Sequence, residues 1–267
     1  MSGDGTNFAI VATGRKRSGK SHQINAIGER FPHRIIFDHI GEFAGKVPGA
    51  VEVYSLDDAV AALARLRTVP KWALLCIIQP GDAIKLIEII APFGQRAERS
   101  YSFAVGGVTI EDGEVDLIAP NHSGINPSVL NLWARGRHYR VNPLVGTVRP
   151  REMHRVITSQ SDVVLAFKQQ EPADKEYLGR LIRSDVPRLL SRIPYRHFLR
   201  YFVQSEALEM VTDAGAASLV PDPNAEEKEI SASSIPAPVS ENSDSDIAER
   251  PKTARRKRSA EPETPLP

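Results

Sequence analysis

The sequence predicts an α/β protein with a mostly parallel sheet flanked by helices, followed by a disordered C-terminal tail. Short apolar runs alternate with segments of helical apolar spacing, and one run leads directly into a glycine loop. From Asp213 the composition changes to Pro, Ser, Ala, Glu and Asp, with few large apolar residues. We therefore expect a folded domain over residues 1–212 and a tail over 213–267 that cannot offset its chain entropy.

Composition indicates an ordinary soluble protein. The chain is 41% hydrophobic and 25% charged, and its net charge of +1 means that any nucleic-acid surface must be local. Its single cysteine, Cys76, lies in an apolar run, which predicts a buried thiol in a reducing compartment. No apolar run reaches the roughly 18 residues of a transmembrane helix, and the start MSGDGTN lacks the regions of a signal peptide. We expect a cytoplasmic chain, with no zinc site among its unpaired histidines.

The stretch FAIVATGRKRSGKS, residues 8–21, predicts a strand, a phosphate-binding loop and a helix. Gly14, four residues, then Gly19, Lys20 and Ser21 fit the pattern G-x-x-x-x-G-K-[ST]. Such a loop turns its backbone N–H groups toward phosphates at the positive end of the next helix. We expect Lys20 to meet the β and γ phosphates of ATP and the Ser21 hydroxyl to hold Mg²⁺. The residues expected to bind the nucleotide here are Gly14, Arg15, Lys16, Arg17, Ser18, Gly19, Lys20 and Ser21. The alternative is a basic surface loop.

The following elements continue the alternation. After a helix over 21–30, the strand Arg34–Phe37 ends at Asp38, with Glu42 just beyond it, at the edge where parallel sheets bind ligands. Ser55 and Asp58 form a capping box that opens a helix through Arg67. The remaining predictions are an extended piece over 51–54, a central strand over 71–79, a helix from 82, a strand beginning the segment 101–120, a helix over 128–137, a strand over 143–147, a helix over 151–159, a strand over 162–167, a helix over 175–183 and a terminal hairpin over 197–204 and 207–211. Trp72 and Trp133 lie beside apolar runs and are expected in the core.

An acidic segment after the run Val108–Ile110 is the candidate second half of the site. Hydrolysis of a nucleoside triphosphate needs one carboxylate on the Mg²⁺ shell and another that prepares the attacking water. Glu111 and Asp112 supply both at the predicted strand end, with Glu114 and Asp116 nearby. The alternative is an acidic turn, since this composition also favours turns.

Several later segments, in order, resemble the HerA/FtsK superfamily of DNA-pumping ATPases. Asp38-His39-Ile40-Gly41-Glu42-Phe43 is similar to that family's D-x-x-G-E-[YF] segment, and Ala134 to Arg140 to its R-x-G-R-H segment. Gly146-Thr147-Val148-Arg149-Pro150 is similar to its T-Q-R-P sensor strand. The strand through Phe167 and the turn Glu171-Pro172-Ala173-Asp174 resemble its closing strand and its D-P-x-D turn. The match runs from about Phe8 to Val203.

The resemblance implies a RecA-like P-loop NTPase core that binds ATP and Mg²⁺ and assembles as a homo-oligomeric, hexameric ring on double-stranded DNA. It implies catalytic roles for Lys20, Glu111, Asp112, Arg137 and Arg149, and a Mg²⁺ site at Ser21, Glu111 and Asp112. It also implies nucleotide contacts from Asp38, Glu42 and Thr147. For the arginines, helix-face salt bridges are the simpler interpretation and an arginine finger into a neighbouring subunit is the second.

Two departures from the family pattern bear on catalysis. Glu111-Asp112 reverses the usual Asp-Glu, which still places two carboxylates, and Val148 replaces a Gln whose amide would touch the γ-phosphate or the water. Hydrolysis is then slow, or Thr147 or Arg149 covers the role.

Among members of the superfamily, a bare core with a tail looks most like the compact genome-packaging ATPases of membrane-containing tailless viruses. That likeness implies the host cytoplasm and the virion as locations, and virion or portal-vertex proteins as partners. The alternatives are a translocase of conjugation or repair, a filamentous-phage assembly ATPase, a small-molecule kinase, and a slow nucleotide-binding structural subunit. The basic block Arg255–Arg258 is either a solvated charge run or a contact for nucleic acid or an acidic partner.

Overall fold

A parallel-rich sheet with helices on its faces organises the chain in the computed structural model, which describes residues 8–66, 68–90, 107–110, 126–136 and 141–223. The strands are β1 Ile10–Thr13, β2 His33–Phe37, β3 Ala50–Val53, β4 Trp72–Cys76, β5 Gly107–Ile110, β6 Asn142–Thr147, β7 Val163–Phe167, β8 Phe198–Phe202, β9 Ala207–Val211 and β10 Ala217–Leu219. The helices are α1 Lys20–Gly28, α2 Leu56–Leu66, α3 Pro80–Ile90, α4 Pro127–Arg135, α5 Arg155–Ser159, α6 Pro172–Leu181 and α7 Val186–Arg192, with a 3₁₀ turn at Pro150–Glu152.

The strands of the described residues form one sheet in the order β10-β9-β8-β7-β1-β6-β5-β2-β4-β3. The seven strands from β7 to β3 in this order pair in parallel, whereas β8, β9 and β10 pair antiparallel. The predicted fold class is therefore confirmed. In this order β1 lies between β6 and β7, and β6 alone separates β1 from β5.

Burial on both faces explains why β1 lies inside the sheet. Every residue of β1 is buried. Ile10 and Ala12 pack in one apolar cluster with Leu144, while Val11 packs in another with Val145, as alternating side chains require. A strand covered by apolar layers on both sides reads as a continuous apolar run, which is what the sequence shows at this point.

The prediction that the run around Trp72 is a central strand is wrong in position, because β4 lies one strand from the edge. Its apolar character has a different cause. Leu74 and Cys76 pack into the cluster that contains residues of α2 and α3, while Leu75 packs on the other face with Phe43. A strand next to the edge is thus still covered on both faces. The expected burial of Cys76, Trp72 and Trp133 is confirmed, and burial raises the pKa of the Cys76 thiol to about 12.

The predicted helix over 151–159 is two elements instead. A 3₁₀ turn ends at Glu152, and α5 begins at Arg155. His154 separates them, and its Nδ1 accepts a hydrogen bond from the Val156 N–H at 3.3 Å, which caps α5. The sequence analysis also does not include α7, in which Pro187 lies in the first turn, a position compatible with proline.

The C-terminal hairpin of β8 and β9 is confirmed, but the folded chain extends past residue 212. β10 pairs antiparallel with β9, after a turn in which Gly215 has φ of 82° and its N–H donates to the Thr212 carbonyl at 2.9 Å. The Val220 N–H donates to the Leu208 carbonyl at 2.8 Å. The compact unit runs to Pro223, past the expected boundary at 212, and residues 224–267 lie outside the described part of the chain. The side chains of β10 are exposed, so the strand needs no apolar pattern, and its composition does not distinguish it from the tail.

A chain ending at residue 212 should be less stable than one ending at residue 223. The shorter chain loses the β9–β10 pairing and the Val220 hydrogen bond, each bond being worth about 0.5–1.5 kcal/mol. For a domain of this size each kcal/mol lowers the midpoint of thermal unfolding by about 2–4 °C. Calorimetric scans of both chains measure the difference. Equal midpoints would show that β10 does not contribute to the fold.

Candidate functional site

The predicted phosphate loop leaves β1 at the carboxyl edge of the sheet and is fixed by both neighbouring strands. The Gly14 N–H donates to the Thr147 carbonyl at the end of β6 at 3.2 Å. The Arg15 N–H donates to the Lys168 carbonyl just past β7 at 3.0 Å. These two hydrogen bonds come from adjacent residues and go to the strands on opposite sides of β1. The sheet itself therefore sets the direction in which the loop leaves β1.

The two glycines of the motif have separate structural reasons. A Cβ at Gly14 would lie 2.5 Å from the Phe167 Cβ and 2.8 Å from the Ser18 Oγ, so a larger residue does not fit. Gly19 has φ of +103°, which side chains other than glycine rarely adopt. Arg17, between them, has φ of 61°, a sparsely populated conformation for a residue with a side chain. Loop geometry therefore explains the spacing of the motif.

The chemistry of the loop fits an anionic phosphate. Lys20 is only 6% exposed, and its ammonium group makes no ion pair with a described carboxylate. Ser18 is 3% exposed, and its Oγ has no hydrogen-bond partner among the described residues. α1 begins at Lys20 with no side-chain cap and no acidic residue in its first turn. Unused donors, a buried cation and the positive end of a helix dipole all favour a bound anion.

A cavity of about 510 Å³ opens beside the loop, between the ends of β6 and β7. Four of its lining residues are basic and two are acidic, so it favours negatively charged ligands. Its lining residues are Arg15, Lys16, Arg17, Val148, Arg149, Gln169, Gln170, Glu171, Asp174 and Tyr195.

The expected sensor segment at the end of β6 makes local contacts. Thr147 is fully buried, and its Oγ1 accepts a hydrogen bond from the Arg149 N–H at 3.0 Å. The Arg149 Nη1 forms an ion pair with the Glu152 Oε1 at 3.0 Å, with both side chains largely exposed. Arg149 thus makes the salt bridge expected in the simpler interpretation, while also lining the cavity.

Asp38 and Glu42 differ in their surroundings. Asp38 is 0% exposed, and its Oδ2 accepts a hydrogen bond from the Phe43 N–H at 2.7 Å, which organises the turn after β2. Glu42 is exposed. β2 is separated from β1 by β5 and β6, and neither carboxylate lines the cavity. Their binding of nucleotide stays a prediction.

Three of the expected site residues, Glu111, Asp112 and Arg137, lie outside the described residues, so their roles also stay predictions. The described residues contain no group of three His, Cys, Asp or Glu side chains able to hold a metal ion. Ser21, the third member of the expected Mg²⁺ set, is half-buried at the start of α1.

On the β7 side the structure adds Gln169, which the sequence does not single out, and shows the surroundings of Asp174 in the turn that resembles the family's D-P-x-D turn. The Gln169 Nε2 donates to the Thr13 Oγ1 at 2.7 Å, and both side chains are buried. An amide is therefore anchored directly beneath the loop, on the opposite side of β1 from Val148. Asp174 is also buried: burial raises the pKa of its carboxyl above the ordinary value, and the hydrogen bond from the Arg151 N–H at 3.4 Å partly offsets this. The place of Gln169 just past a strand next to β1 is the signal that points to it.

A buried parallel strand that leads through a G-x-x-x-x-G-K-[ST] loop into a helix is the P-loop motif, and here a parallel-rich α/β sheet of the P-loop NTPase kind carries it. No family model matches the chain, and no curated protein matches its sequence. Among solved structures, the genome packaging NTPase B204 from Sulfolobus turreted icosahedral virus 2 in complex with sulfate is similar, with a TM-score of 0.60 and 18% identity over 77% of this chain and 96% of that chain. The complex of the same protein with ATP-gammaS has a TM-score of 0.58 and 18% identity, over 76% of this chain and 96% of that chain. B204, the DNA-packaging ATPase from Sulfolobus turreted icosahedral virus, has a TM-score of 0.58 and 18% identity, over 77% of this chain and 97% of that chain.

At this identity the likeness is one of fold, and the fold that the sequence resemblance predicts is confirmed. None of the helices in the described part of the chain has the length and apolar character that a bilayer crossing requires.

Replacing Gly14 by Ala should lower the free energy of unfolding by about 1–3 kcal/mol, because the new Cβ meets the Phe167 Cβ at 2.5 Å in a packed site. Gly81→Ala is the matched control, because Gly81 lies in α3 and a Cβ added there would have no atom within 4 Å. The control should gain up to about 1 kcal/mol from helix propensity. Urea denaturation measures both variants. A Gly14→Ala variant as stable as the wild type would contradict the close approach of loop and β7.

Proposed function

We propose that the chain is an ATP-hydrolysing DNA translocase, and specifically a viral genome-packaging ATPase that pumps double-stranded DNA. The observation that carries the proposal is the buried Lys20 at the uncapped start of α1, within a loop fixed between β6 and β7. The similarity of fold to B204, whose name describes a genome packaging NTPase, supports it.

In this proposal the loop binds the phosphates of ATP. Backbone N–H groups of Lys16, Arg17, Gly19 and Lys20 and the Lys20 ammonium group hold the β and γ phosphates, and the Ser18 hydroxyl gains a partner. Ser21, Glu111 and Asp112 hold Mg²⁺, which when bound neutralises charge on the phosphate oxygens. Glu111 and Asp112 directly follow β5, whose Ile110 is in register with Val145 of β6. β5 therefore ends at the same edge of the sheet as β1, where the phosphate loop begins.

One of these two carboxylates also orients the attacking water and accepts its proton. With Val148 in place of a sensor glutamine, polar groups near the γ-phosphate come from Thr147 and Arg149 at the end of β6. Arg149 meets this role by leaving its exposed ion pair with Glu152, a small cost because exposed pairs contribute about 0–1 kcal/mol. Arg137 or Arg149 of one subunit reaches the site of the next in a hexameric ring.

The proposed ring acts in the host cytoplasm and in the virion, with DNA passing along basic side chains and virion or portal-vertex proteins as further partners.

One observation favours a second candidate, a nucleotide-binding structural subunit that turns over slowly. Val148 occupies the position where the resembling family has an amide, so transition-state stabilisation there is reduced.

The proposal predicts a division of roles between the loop and the acidic segment. Lys20→Ala should weaken ATP binding by roughly 2 kcal/mol or more, because it removes a charge-assisted contact to phosphate. Glu111→Gln and Asp112→Asn should lower kcat far more than they lower affinity, since the carboxylates act mainly in the transition state. Glu114→Gln is the matched control. Calorimetric titration and steady-state turnover separate the effects; unchanged affinity of the Lys20 variant would exclude the loop as the phosphate site.

A DNA motor predicts salt-dependent, sequence-independent DNA binding, because phosphate contacts release counterions. Duplex DNA of random sequence, titrated against the protein with ATP at rising salt, should bind with affinity that falls steeply, and the same DNA should stimulate turnover. Turnover without DNA stimulation would favour the structural subunit. Acceleration by a small phosphate acceptor would favour a kinase.

A further inference from the structure

The turn of residues 194–197, between α7 and β8, lies against the end of the phosphate loop. A Cβ at Gly19 would lie 3.8 Å from the Arg196 Cγ and 3.9 Å from its Cα. The turn is anchored at both ends by core residues, since Ile193 and Phe198 are buried. Within it, the Tyr195 carbonyl is 3.1 Å from the His197 Nδ1. The turn is therefore held in a fixed position beside the loop.

Tyr195 is a large aromatic side chain that the fold leaves 54% exposed, and it lines the same cavity as Arg15, Lys16 and Arg17. The Arg196 guanidinium carbon lies 5.5 Å from the centre of its ring. An Arg beside an aromatic ring forms a platform on which a planar base stacks.

Backbone strain is found at the same place. Among the described residues outside glycine, positive φ occurs at Arg17, Arg196 and Glu206, and the first two lie in the loop and in the turn that contacts it. Strain of this kind costs on the order of 1–3 kcal/mol and is concentrated at ligand sites.

We infer that Tyr195 is the stacking platform for the base of the nucleotide whose phosphates the loop holds, with Arg196 fixing the ring. The inference rests on the proposed function, since it assigns the nucleoside end of that site. The cavity of about 510 Å³ lies within the range of ligand pockets and is lined by both the basic loop and Tyr195. The basic loop binds the anionic end of the ligand, and the exposed ring, which lines the same cavity, binds its uncharged planar end. A nucleoside diphosphate or triphosphate has both ends.

The test compares a ligand that has a base with one that lacks it. Calorimetric titration of the full chain with ADP and with inorganic pyrophosphate is carried out for the wild type, Tyr195→Ala and Tyr195→Phe. Tyr195→Ala should weaken ADP binding about tenfold or more, the loss expected for a base–aromatic stack, and leave pyrophosphate binding unchanged. Tyr195→Phe, which keeps the ring, should bind both as the wild type does.

Tyr54→Ala is the matched control, because Tyr54 is 64% exposed and follows β3 at the far end of the sheet. It should bind both ligands as the wild type does. Unchanged ADP affinity in Tyr195→Ala would overturn the inference, and so would an equal loss of ADP and pyrophosphate, which would indicate a disturbed loop. Unchanged ADP affinity with an altered assembly mass would assign the ring to a subunit contact instead.

Lys20→Ala separates this inference from the proposed function. If it binds ADP and pyrophosphate as tightly as the wild type, or if the wild type binds neither, the proposed function fails and the inference fails with it. If Lys20→Ala loses both ligands and Tyr195→Ala loses neither, the inference alone fails.

Discussion

The close fixation of the phosphate loop between β6 and β7 is the constraint on which the rest of the site depends. Gly14 and Arg15 donate to carbonyls on opposite neighbours of β1, and Phe167 leaves no room for a side chain at Gly14. Those contacts exist only because the sheet order places β1 between the two strands. The fold thus determines where an anion can bind and from which side its ligand extends.

Burial on both faces of the sheet leaves the strand ends as the polar surface near β1. Lys20 and Ser18 lie buried at one such end, and Gln169 bonds to Thr13 beneath them. Buried polar groups are costly unless they have partners. Within the described part of the chain the Ser18 hydroxyl has no hydrogen-bond partner and Lys20 makes no ion pair, so both are understandable as groups whose partner is a ligand. The stability lost in the free protein would be regained as affinity for phosphate.

The sequence predicts features that depend on local patterns and misses those that depend on long-range neighbours. The loop is predictable from the sequence because its glycines have local causes: Gly14 has no room for a side chain, and Gly19 has a positive φ. β10 was missed because backbone pairing forms it while its side chains remain exposed. Gln169 and Tyr195 were missed because their significance depends on which strand and which turn lie beside β1, and no periodicity records that.

Amide hydrogen exchange with and without ADP and Mg²⁺ tests the central claim, that this loop is the phosphate site, most directly. The account predicts slower exchange of amides within residues 14–21 when the nucleotide is present, above all at Lys16, Arg17, Gly19 and Lys20, because those N–H groups gain phosphate acceptors. Peptides covering residues 55–60, in and just before α2 at the far end of the sheet, should not change. Exchange over residues 14–21 that is the same with and without saturating nucleotide would contradict the account.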